Sequence, residues 1–100
     1  MRFQVLVNGS PVCTSGQNGF GVLTALLSWR KLNPTKIPPD KRAVLSKALA
    51  DGELEFSVGG IDGGEDVHIS WKVPLVGVGD EITIRILESG QFDAPTVKFG

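Results

Sequence analysis

The hydrophobic pattern changes period along the chain, and each change predicts an element. Phe3, Val5 and Val7 fall on one side of an extended segment, so residues 2–7 predict a strand. Asn8-Gly9 then supplies the positive-φ pair of a tight hairpin turn, with a return strand through Val12 and Thr14. After Ser15-Gly16-Gln17-Asn18-Gly19 the spacing becomes helical. Val22, Leu26 and Trp29 share one face and Thr24, Ser28 and Lys31 the other, predicting an amphipathic helix that Asn33-Pro34 stops near Leu32. A second helix is predicted from Pro39-Asp40 to Asp51-Gly52, with Val44, Leu45, Ala48 and Leu49 on its apolar face.

Period two then returns. Leu54, Phe56 and Val58 alternate with Glu53, Glu55 and Ser57; beyond the Gly59–Gly64 loop, Val67, Ile69, Trp71 and Val73 oppose Asp66, His68, Ser70 and Lys72. Ile82, Ile84 and Ile86 form a last strong strand with Thr83 and Arg85 outward, and Val97 and Phe99 add to an edge. The predicted class is α+β in the order ββααβββ: a mixed or antiparallel sheet of about five strands, wet on one face and covered by two helices on the other. On this reading strands 53–58 and 66–73 share a sheet whose helix-covered face bears Phe56, Trp71 and Ile84.

Length limits the chain to one core, so 1–100 is read as a single domain. With 41% hydrophobic and 21% charged residues, neither disorder nor a fibrous architecture is suggested. The apolar run Phe20–Leu27 is too short for a bilayer span, residues 1–9 lack the pattern of a signal peptide, and a lone cysteine fits a reducing compartment; the predicted location is the cytoplasm.

The hairpin Phe3–Val12, the helical spacing after it and the strand Val78-Gly79-Asp80-Glu81-Ile82-Thr83-Ile84 resemble the ubiquitin-like β-grasp, in particular the small sulfur carriers of thiamin and molybdopterin synthesis. The resemblance implies a β-grasp-like fold and a role as a carrier or accessory subunit of a larger enzyme. Such carriers work through a terminal Gly-Gly; here the corresponding residues are Phe99-Gly100. Val58-Gly59-Gly60-Ile61-Asp62, with Trp71 and Val78–Ile82, is also similar to short bacterial proteins of unknown function.

Candidate chemistry is sparse. Asp66, His68 and Ser70 carry the residue types of a hydrolytic triad, but side chains two apart on one strand lie about 6.5–7 Å from each other, beyond the reach of proton transfer. Cys13 has no neighbouring base or cation in sequence to lower its pKa and reads as structural. Asp62, Glu65 and Asp66 are weak candidates for a hard cation because their spacing fits no regular calcium loop. Gly16, Gly19 and Gly21 precede the predicted first helix without the lysine and hydroxyl of a phosphate loop. Trp29 and Trp71, each on an apolar stripe, are assigned to the core. No catalytic residue, metal or cofactor is predicted.

Charge is more informative. Residues 1–50 hold seven Lys or Arg and one acid, whereas residues 51–100 hold three and ten. Arg30, Lys31, Lys36, Lys41, Arg42 and Lys47 concentrate the positive charge and are the candidate interaction surface. The acidic half and a pI near 5.7 disfavour nucleic acid. The expectation is a non-catalytic protein-interaction module that meets a protein partner, or another copy of itself, through complementary charge.

Overall fold

The computed structural model describes residues 1–46, 50 and 52–99. Among the described residues seven strands form two antiparallel sheets. The first has the order β2-β1-β6, with β1 at Arg2–Val7, β2 at Ser10–Gly16 and β6 at Ile82–Leu87; the second has the order β3-β4-β5-β7, with β3 at Gly21–Arg30, β4 at Glu53–Asp62, β5 at Val67–Trp71 and β7 at Val97–Phe99. The α+β class is therefore corrected to mostly β, and the β-grasp-like ββααβββ order with it.

The predicted helix over 22–32 is strand β3, paired with β4 at ten consecutive positions from Gly21↔Asp62 to Arg30↔Glu53. Val22, Leu26 and Trp29 do fall at helical spacing, but Leu23 and Leu27 fill the intervening positions, so the segment supports either period. No capping side chain precedes it, and Gly21 has φ +152, outside the helical region. A partner strand then decides: ten ladder pairs outweigh a weak local preference. Of the predicted second helix, residues 47–49 and 51 lie outside the described residues. Its first part is a 3-10 turn at Pro39–Lys41, following another at Pro34–Lys36.

The hairpin was legible in detail. Asn8 and Gly9 have φ 52 and 81, both positive as a type I′ turn requires, and join β1 to β2 with a register shift between Val5 and Leu6. Strands β4 and β5 pair as expected, and Val58↔Trp71 places Phe56 and Trp71 on one face. Ile84 instead belongs to the other sheet, opposite Val5. Ile86 is 71% exposed, so β6 extends beyond the part of its sheet that the second sheet covers.

The core lies between the sheets. Val5 and Cys13 come from one, Val58, Ile69 and Trp71 from the other, with Leu23, Ala25, Phe56 and Phe92 packed around them. The segment between β6 and β7 ties the two layers together. Asp93 exchanges bonds with Thr14 (backbone N to Oδ2 2.9 Å, and Asp93 N to Thr14 O 2.9 Å), and its carbonyl accepts the Trp71 indole N–H at 2.8 Å. Arg2, only 7% exposed, holds the same segment. Its guanidinium donates to the carbonyls of Gly90, Met1 and Gln17 and to Asn18 Oδ1, and lies 4.5 Å from the centre of the Phe92 ring.

Candidate interaction surface

Strand β5 pairs only with positions 58–62 of β4, so the far half of the β3–β4 ladder, Leu26–Arg30 against Glu53–Ser57, runs on as a two-stranded arm. It contributes to an elongated molecule of 49 × 33 × 17 Å. A free ribbon of this kind is marginal by itself. Two contacts brace its end: Arg30 Nη2 to Glu53 Oε2 at 2.6 Å, and the Trp29 indole lying over Gly52, where any Cβ would meet it. Gly52 has φ +84, so that position favours glycine twice over.

Trp29 was assigned to the core and is instead 63% exposed, with Leu26 at 59% and Leu27 at 57%. Their strand continues directly into the connector that carries the basic residues. Lys31, Lys36, Lys41 and Arg42 are all exposed there; Lys47 lies outside the described residues. The connector has local order. Asn33 Oδ1 accepts from the Thr35 backbone N–H (3.0 Å) and hydroxyl (2.8 Å), and Arg42 Nη2 donates to Pro34 O at 3.0 Å, linking the two 3-10 turns. Five of the six predicted residues thus lie exposed on the strand end and the connector that follows it, with Arg30 and Arg42 already partnered. The apolar part of that surface was missed, because residues 22–29 satisfy periods of 2 and 3.6 alike.

The remaining candidates are scattered. Asp66 sits in the turn before β5 with φ 56, while the exposed His68 stacks on Phe99 with ring centres 5.4 Å apart. Beside that pair Val22, Thr24, Ile61 and Ser70 line a shallow depression of about 410 Å³. Asp62 Oδ1 accepts from the Gly64 (2.9 Å) and Glu65 (3.4 Å) backbone N–H groups, and the Glu65 carboxylate pairs with Lys98. Among the described residues no three or more His, Cys, Asp and Glu side chains gather as a metal site would need. Cys13 is buried, and desolvation, helped by the charge of Asp93, raises its thiol pKa. Gly16 packs against Arg2 at a strand end and heads no helix. No described helix is long and apolar enough to cross a membrane.

Comparison with protein-family models, curated proteins and solved structures finds no match.

Proposed function

We propose that this protein is a non-catalytic protein-interaction module that binds through the β3–β4 arm and its basic connector. The observation that carries the reading is that exposed Leu27 and Trp29 on one face of the strand, and exposed Leu26 on the other, lead along the chain into exposed Lys31, Lys36, Lys41 and Arg42. Aromatic and aliphatic anchors rimmed by positive charge suit a partner surface that is apolar at its centre and acidic at its edge. Nucleic acid fits less well, because the ten acids of residues 51–100 oppose phosphate approach. The lone buried cysteine is compatible with a reducing cytoplasm.

Converting Lys31, Lys36 and Lys41 together to glutamate tests the reading without touching the Arg30–Glu53 pair or the Arg42 bond. Association of the native protein with whatever it binds, followed by sedimentation, is expected to weaken in the variant and with added salt. Binding that is indifferent to both changes overturns the proposal.

A further inference from the structure

Two sheets have four edge strands, and three of these edges are blunted. β2 contains Pro11 and gives the backbone groups of Thr14 to Asp93; β7 is three residues long with Lys98 at its centre; β6 carries the exposed Arg85. β3 differs. Residues 21–29 contain no proline and no charge; the Gln17 side chain donates to Val22 O at 3.1 Å near the N-terminal end, and the eight residues beyond it, at about 3.4 Å each, offer an edge about 27 Å long.

The ends of that edge carry opposite charge. At its N-terminal end Gly21 pairs with Asp62 and lies beside the turn bearing Asp66 and the Lys98-bonded Glu65; at its C-terminal end Arg30, bonded to Glu53, leads into exposed Lys31 and Lys36. An antiparallel neighbour with the same sequence sets each basic end beside the other's acidic end, and a twofold axis repeats the match.

We propose that β3 pairs antiparallel with β3 of a second copy, joining two four-stranded sheets into one of eight strands. A twofold axis normal to the sheet keeps inward residues inward, which confines the register to one centred on Ala25 or on Leu26. Either register gives the two-stranded arm a third strand and shelters Leu26, Leu27 and Trp29. The proposal rests on the interaction-module reading and commits it to one partner.

The test is sedimentation of the purified full chain over a range of concentration and salt, with folding of each variant checked by circular dichroism. The expected result is a monomer–dimer equilibrium shifted toward monomer by salt. Leu26→Lys places two ammonium groups directly across the axis or about 7–8 Å apart on a diagonal, and raises the dissociation constant by about tenfold. Lys31→Glu with Lys36→Glu leaves the strand intact and weakens the dimer while flattening its salt dependence, which keeps the test open should Leu26→Lys fail to fold. Ile86→Lys, on the β6 edge, leaves the dimer unchanged. A chain monomeric at every soluble concentration overturns the proposal, as does a dimer broken by Ile86→Lys but not by the β3 or connector variants. Should the purified chain be monomeric while the triple lysine reversal still weakens binding to a different protein, self-pairing fails and the module reading survives.

Discussion

The two halves of the β3–β4 ladder are built from similar residues and end in different surroundings. Near its start, Leu23 and Ala25 pair with Gly60 and Val58, and the first sheet covers them; toward its tip, Leu27 and Trp29 pair with Phe56 and Leu54, and Leu27 and Trp29 stay exposed. Pairing continues unbroken while covering stops. The ladder's hydrogen bonds, braced by the Arg30–Glu53 pair and by Trp29 over Gly52, carry it outward, and Leu26, Leu27 and much of Trp29 remain exposed at its tip. One half holds the fold together, and the other offers a surface.

The sharpest way to break this contrast is to truncate one tryptophan of the covered core, on β5, and one of the exposed arm. Trp71 is 4% exposed and its indole holds Asp93, so Trp71→Ala is expected to destabilise by about 3–5 kcal/mol in urea unfolding. Trp29→Ala is expected to cost under about 1 kcal/mol. Equal losses would mean that the arm is as integral to stability as the core.

The β1–β2 hairpin and strands β4 and β5 were legible in the sequence, because their signals are local and redundant. Asn8-Gly9 permits few turns, and the alternation in Leu54–Val58 and Val67–Trp71 has no helical counterpart. β3 was not legible for the opposite reason: a run rich in leucine satisfies periods of 2 and 3.6 alike, and its partner lies more than twenty residues away. The basic residues were identified without their apolar neighbours, since a tryptophan on an apolar stripe reads as core until the facing layer is known to stop short. Asp93 gave no sign of its role; a carboxylate that bonds a backbone N–H across the sheets is a tertiary fact.

A smaller loss is expected from Arg2. Arg2→Met keeps most of the apolar stem but strands the carbonyls of Gly90 and Gln17, so a loss of about 1–3 kcal/mol is expected. Arg2→Lys, which keeps the charge without the fork, should recover only part of it. Full recovery by lysine would assign the effect to charge instead of to the several bonds the guanidinium makes.

The smallest effect concerns pH. The Cys13 pKa in the folded state is raised above its ordinary 9.0, first by burial and then by Asp93. A raised folded value means that the associated stability is complete below 9.0 and is lost as pH rises above it. With no tyrosine in the chain, a Cys13→Ser variant isolates this alkaline decline. The decline should be shallower in the variant, and the native thiol should react slowly with a disulfide reagent until the protein unfolds. An equal alkaline slope in both proteins would remove Cys13 as its source.

The pairing of β1 with β6 has a consequence for how the chain comes into being. Arg2↔Leu87 and Val7↔Ile82 join residues made at opposite ends of synthesis, and Asp93 must be present before the two layers are tied. Contacts so distant in sequence are slow to form, since the intervening loop must close before any of them is rewarded. On the ribosome β3, uncharged over residues 21–29, can pair with β4 long before the first sheet is complete. The nascent chain therefore passes through a stage in which its most adhesive edge is already formed and its own core is not, so crowding of identical nascent chains on one message would favour aggregation, and a chaperone that shields residues 21–30 until the last strands emerge would raise the yield of folded protein.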